Sequence, residues 1–174
     1  MKIIAGVDEV GRGSLIGPVY ASAVILKKSI NSKLLKDSKS LSKKKREYLC
    51  TYIKKNSTWS IGKASVKEIE KLNILQASLL AMKRAIKKLK KKPTHVLIDG
   101  NKTPELENYN LKSVIKGDKK IPSISAASII AKVSRDKFIT TSVSYTHPEP
   151  TRPERIGYSV VGVEKKRGGG GGGG

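Results

Sequence analysis

The chain has 174 residues, enough for one domain with a real core but not comfortably for two. Its 36 lysines and arginines against 14 acids give a formal charge of +22, which points to a polyanionic partner, nucleic acid first, because neutralising phosphates releases counterions; a lysine-rich coat without a partner is the plainer alternative. A single cysteine, Cys50, excludes an intrachain disulfide and a cysteine-type zinc site, and with no signal peptide and no apolar run near the ~20 residues of a bilayer span the chain reads as a soluble cytoplasmic protein.

Residues 2–8, KIIAGVD, read as a buried strand. A Gly-rich turn from Gly11 to Pro18 leads into a second strand over 19–27, where Val19, Ala21, Ala23 and Ile25 turn one face to a core. A helix over about 42–55 follows, with Tyr48, Leu49, Tyr52 and Ile53 at helical spacing and Cys50 as a buried structural residue. Residues 57–65 offer a third short strand with Trp59 and Ile61 on one side; strands joined this closely are expected to pair antiparallel.

Ser65 with Glu68 forms a capping-box pattern, and Asn73 with Gln76 starts another helix. The apolar stripe of that helix (Leu75, Leu79, Met82, Ile86, Leu89) is core rather than a binding face. Its outer side, Lys83 to Lys92, is almost wholly basic, a solvated face that also suits a phosphate backbone. HVLIDGN (95–101) and LKSVIKGD (111–118) read as strands ending in Asp99 and Asp118, and the helices before the first argue for a parallel crossover. The last element is a helix over 123–139, small-faced through Ala126, Ala127 and Ala131 and anchored by Ile130 and Val133. The expected fold class is α/β: a mixed sheet of three antiparallel strands followed by parallel strands, flanked by helices.

After about Thr140 the texture changes to prolines, little periodicity and a terminal run of seven glycines. The expected division is therefore a catalytic domain over 1–140 and an irregular, non-native Pro/Gly-rich tail over 141–174. The tail carries five basic and three acidic residues, so +20 of the +22 remains without it.

The acids are few, which makes their positions informative. Asp8, Asp99 and Asp118 each close an apolar strand, and strand ends on one sheet edge surround a common crevice. Taken singly, each is more ordinarily a cap. Together with Glu9 they would repel one another unless a hard cation sat among them, and oxygen donors of this kind suit Mg2+ or Mn2+. In a basic protein that combination points to two-metal phosphodiester hydrolysis, one ion activating water and the other stabilising the leaving oxygen. Neighbours in a regular strand face opposite ways, so the strand is expected to end or twist between Asp8 and Glu9. Other motifs fail. Gly62-Lys63-Ala64-Ser65 lacks the upstream glycine of a P-loop, where Ser57 stands, and Gly11-x-Gly13 is too short for a dinucleotide fingerprint. His95 and His147 are too few for a histidine-centred site.

GVDEVGRGSLIGPV (6–19), DSKSLS (37–42), LIDGN (97–101), IKGD (115–118) and SISAASIIAKVSRD (123–136) together resemble ribonuclease HII, in that family's order and approximate spacing, over residues 1 to about 140. The resemblance implies a ribonuclease H-like fold and a Mn2+- or Mg2+-dependent endonuclease. Its expected substrates are the RNA strand of RNA–DNA hybrids and single ribonucleotides in duplex DNA, nicked on the 5′ side to leave 3′-hydroxyl and 5′-phosphate ends. It further implies Asp8, Glu9, Asp99 and Asp118 as catalytic and metal-binding residues, and Gly11, Arg12 and Gly13 as readers of the ribose 2′-hydroxyl. Asp37, Ser38 and Lys39 are implied phosphate contacts, and Asp136 beside Arg135 a structural ion-pair residue. Ser14 stands where the motif has proline, and Gly157-Tyr158 lies near the position of a family Gly-Tyr without matching surroundings. The expected protein is a monomer acting in ribonucleotide excision. The alternatives are a silent nucleic-acid-binding fragment and another nuclease of the same fold, such as a resolvase.

Overall fold

The computed structural model describes residues 1–13, 16–35 and 40–146, with side chains as far as residue 142. Asp37, Ser38, Lys39, Ser14 and the segment 147–174 lie outside the described residues. The chain divides into two compact units, Met1–Arg135 and Asp136–Gly174.

The first unit is built on five strands: β1 (Ile4–Val10), β2 (Val19–Leu26), β3 (Ser57–Ala64), β4 (His95–Asp99) and β5 (Leu111–Val114). Their order in the sheet is β3-β2-β1-β4-β5. β1 and β3 pair antiparallel with β2, whereas β4 pairs parallel with β1, and β5 parallel with β4. The mixed sheet is thus the one expected, three antiparallel strands and then two parallel additions.

Among the described residues there are five helices, α1 (Lys43–Lys55), α2 (Val66–Leu72), α3 (Ile74–Lys88), α4 (Gly117–Lys120) and α5 (Pro122–Thr146), with a 3-10 turn over Ser32–Leu35. Short polar side chains start three of them. Ser42 Oγ accepts from Lys45 N at 3.2 Å, and Ser65 and Glu68 close the expected capping box at 3.1 and 2.9 Å. Asn73 Oδ1 accepts from Gln76 N at 2.9 Å. Each satisfies an amide that the first helical turn leaves without a partner.

Two cores follow from burial on both faces of the sheet. One joins Ala5, Val7, Val96, Ile98 and the Val19/Ala21/Ala23/Ile25 face of β2 to α3. The other joins Val24 to Leu49, Cys50 and Ile53 of α1 and to Ala126, Ala127, Ile129, Ile130 and Val133 of α5. Of the stripe predicted for this helix, Met82 and Ile86 are buried, Leu79 and Leu89 pack half-buried against the same core and Leu75 is half-buried, while Ala77, Ala81 and Ala85 are fully buried. A Cβ on Gly62 would stand 2.2 Å from the Ala81 carbonyl, and one on Gly6 2.2 Å from the backbone of Ser123. One glycine on each face therefore lets a helix settle directly on a strand.

One local expectation is corrected, and one of the two alternatives for β1 is removed. Residues 111–118 are not one strand: β5 stops at Val114, Lys116 adopts a left-handed conformation (φ 55°), and Asp118 sits in α4. The chain bends there because Asp99 Oδ1 accepts the Gly117 amide at 2.7 Å, drawing the segment round the end of β4. Nor does β1 end between Asp8 and Glu9. Its ladder to β2 runs to Val10↔Tyr20, while its ladder to β4 ends at Val7↔Ile98. No helix among the described residues is long and apolar enough to cross a membrane.

Candidate active site

The uneven ends of the two ladders define the site. Beyond Val7, β1 keeps a partner on one side only, and there Asp8 and Glu9 border a cleft of about 390 Å³ with Asp99 and Asp118. Four carboxylates from β1, the end of β4 and α4 thus border one cleft. Val10 of β1 and two helices complete the lining, with Arg46 from α1 and Ser128, Ile129 and Lys132 from α5. Ser128 and Lys132 are one turn apart, so they share a face of α5.

The acids are held unlike ordinary surface carboxylates. Asp8 is 5% exposed, and burial pushes its carboxyl well above the usual range. The charges of Glu9, Asp99 and Asp118 push the same way, and only the hydrogen bond from Glu9 N, at 2.8 Å, opposes them. Glu9 is also raised by burial; the guanidinium of Arg12 works against that, and Asp99 adds to it. Asp99 Oδ1 accepts from the amides of Gly117 and Asp118 at 2.7 and 3.4 Å. Ser22, cross-strand from Asp8, is fully buried, and its Oγ has no hydrogen-bond partner among the described residues.

Burial and mutual repulsion of this kind are relieved by a hard divalent cation, and all-oxygen donors fit Mg2+ or Mn2+. Among the described residues no three His, Cys, Asp or Glu side chains are already gathered into a ligand cage.

Of the predicted site residues, the structure brings Asp8, Glu9, Asp99 and Asp118 to one cleft. Arg12 and Gly13 are exposed, in the loop that follows β1. The cationic lining was missed from sequence: Arg46 and Lys132 are two among 36 basic residues. The usable signal was the Ser128–Lys132 spacing on a helix whose first half is rich in small and apolar residues.

The chain matches the family model for ribonuclease HII over residues 5–166. It is 79% identical, over 140 residues, to the ribonuclease HII of Pelagibacter ubique (strain HTCC1062), an alignment covering 80% of this chain and 75% of that protein. The chain belongs to the ribonuclease HII family. Solved structures agree. The ribonuclease H2 of Pyrococcus horikoshii OT3 superposes with a TM-score of 0.69 at 29% identity, covering 86% of this chain and 82% of its own. The ribonuclease HII of Archaeoglobus fulgidus, solved in complex with PCNA, gives 0.62 at 25%, covering 87% and 83%. Ribonuclease HII enzymes are endonucleases of the ribonuclease H type, acting on nucleic acid with the help of metal ions.

Proposed function

We propose that this ribonuclease HII nicks duplex DNA on the 5′ side of a single ribonucleotide and cuts the RNA strand of RNA–DNA hybrids, leaving 3′-hydroxyl and 5′-phosphate ends. The observation that carries this reading is the single cleft bounded by four carboxylates and, from the helices, by Arg46 and Lys132. A scissile phosphate needs both kinds of lining. Asp8, Glu9, Asp99 and Asp118 are the residues to hold Mn2+ or Mg2+; when bound, the two ions would activate the attacking water and stabilise the leaving 3′-oxygen.

The chain's own groups do the rest. Lys132 and Arg46 bring positive charge to the phosphate oxygens, and Ser128 adds a hydroxyl donor. Gly11-Arg12-Gly13 leaves β1 next to the acids, close enough that the charge of Arg12 acts on Glu9. Its bare backbone suits close approach to a ribose, whose 2′-hydroxyl distinguishes RNA from DNA. Asp37, Ser38 and Lys39 are proposed phosphate contacts along the strand, and one copy of the chain supplies every group named.

The test is a DNA duplex carrying one ribonucleotide, incubated with the protein and Mn2+ or, separately, Mg2+. A nick 5′ of the ribonucleotide, lost in Asp8→Asn, supports the reading. Equal cutting of an all-DNA duplex points instead to a resolvase-like nuclease, and binding without a nick to a silent fragment.

A further inference from the structure

Arg135 is a charged residue with no place in the cleft, yet it is only 8% exposed. It sits on α5 three residues beyond Lys132 and points to the connection between β1 and β2. Its Nε donates to the Pro18 carbonyl at 2.9 Å, and its Nη2 donates to the Ile16 carbonyl. Both acceptors lie on the limb of the connection that returns to β2. The departing limb meets the same side chain, because a Cβ on Gly11 would stand 2.6 Å from Arg135 Nε and 3.1 Å from its Cδ. Gly11 also has φ +108°, a conformation that other residues rarely adopt. The guanidinium fills the space that a side chain at position 11 would need.

One buried fork thus grips both limbs of a loop whose far part includes Arg12 and Gly13. Burying a guanidinium on backbone carbonyls is an expensive way to close a loop, since each charge removed from water needs compensation. An apolar side chain would close it at lower cost if only packing mattered. What the fork adds is direction: two donors in fixed planar geometry set where two carbonyls two residues apart must lie. A lysine has one mobile ammonium and cannot fix both.

We propose that Arg135 is the positioning residue for the ribose-reading segment, holding Gly11-Arg12-Gly13 at a set distance from the carboxylate cleft. This rests on the reading of that segment given above. Arg135 touches neither the reacting phosphate nor the metal ligands; it acts through the loop.

The test is Arg135→Lys, read in three ways. Amide exchange over residues 11–20 in the metal-free protein should quicken on the order of tenfold, matching the removal of one charge-assisted hydrogen bond. Mn2+ binding measured by calorimetry should be unchanged. The preference for a ribonucleotide-bearing duplex over all-DNA should fall by a similar factor through KM, with kcat little altered. Arg135→Gln keeps one planar amide donor at the same helix position and, if the lysine variant does not fold, should give the same three readings. Unchanged exchange, or faster exchange with ribose preference intact, overturns the proposal; so does a preference abolished together with Mn2+ binding, which marks a general structural role. A wild-type enzyme that cuts both duplexes alike overturns the ribose reading itself. That result is distinct from a discriminating wild type beside an equally discriminating Arg135→Lys, which overturns the positioning role alone.

Discussion

Glu68 and Asp8 are both acids in a strongly basic chain, and their surroundings differ in every respect. Glu68, in the first turn of α2, receives two hydrogen bonds from Arg84 at 2.8 and 2.6 Å and completes a capping box with Ser65. The Arg84 pairing, helped by the Ser65 amide, holds its carboxyl down to about 2. Asp8 is buried among three other acids, and its carboxyl is driven upward. Where a carboxylate serves the fold, the chain gives it a guanidinium. In the cleft, Asp8 is surrounded instead by the like charges of Glu9, Asp99 and Asp118. That contrast makes four outcomes measurable.

The largest belongs to Asp8→Asn. Hydrolysis should fall on the order of a thousandfold, the scale of transition-state stabilisation that a metal site supplies. Without metal, the melting temperature should nevertheless rise by a few degrees at neutral pH. The sign follows from proton linkage. The folded state raises the pKa of Asp8, so its contribution is fully favourable below the ordinary value of 3.8 and is lost as pH climbs through the folded value. Above that point the buried charge is a liability, which asparagine removes. A melting temperature for metal-free Asp8→Asn at or below that of the wild type at neutral pH would count against the contrast.

Next in size is the response to the ion. Mn2+ at a hundred times its dissociation constant should stabilise the wild type by about 2.7 kcal/mol. Thermal shift should show much less in Asp8→Asn, and equal shifts would place the ion elsewhere. Third, Lys132→Met or Arg46→Met should weaken cutting about tenfold and flatten the logarithmic salt dependence by about 0.9 for each phosphate no longer neutralised. Kinetics at several salt concentrations measures both; an unchanged slope removes that residue from the phosphate-binding role.

The smallest effect is Glu68→Gln. Its pair with Arg84 is partly exposed, so about 0.5–1 kcal/mol is at stake. Because the folded pKa lies below the ordinary 4.5, the contribution is present above that value and fades as pH falls toward about 2. Denaturant titrations at pH 7 and near pH 2 should therefore diverge from wild type only at the higher pH, with activity untouched.

Much of this was legible in the sequence, for physical reasons. Alternation in Val19–Ile25, cap signals at Ser65 and Asn73, and acids closing apolar runs are local patterns, and local patterns survive folding. Asp118 was read into a strand because a left-handed Lys116 leaves no composition signal; the bend depends on an amide donated to Asp99, eighteen residues earlier. How Asp8 and Glu9 can both border one cleft was equally hidden, since it follows from a ladder that ends sooner on one side of β1 than on the other. Arg46 and Lys132 were hidden among so many cations. Arg135 was read only as a neighbour of Asp136, because its acceptors are carbonyls, which every residue carries.

Gly6 and Asp8 are two residues apart on β1 and so lie on the same face of the strand. The start of α5 rests on Gly6 at Ser123, and farther along the same helix Ser128 and Lys132 border the cleft that Asp8 enters. Position 6 is therefore a fulcrum. A single methyl group there would lever the cationic helix away from the acidic strand, changing the jaw width of the enzyme without altering any group that meets the substrate. Residues that never touch nucleic acid can in this way be selected as calipers, for the gap they maintain.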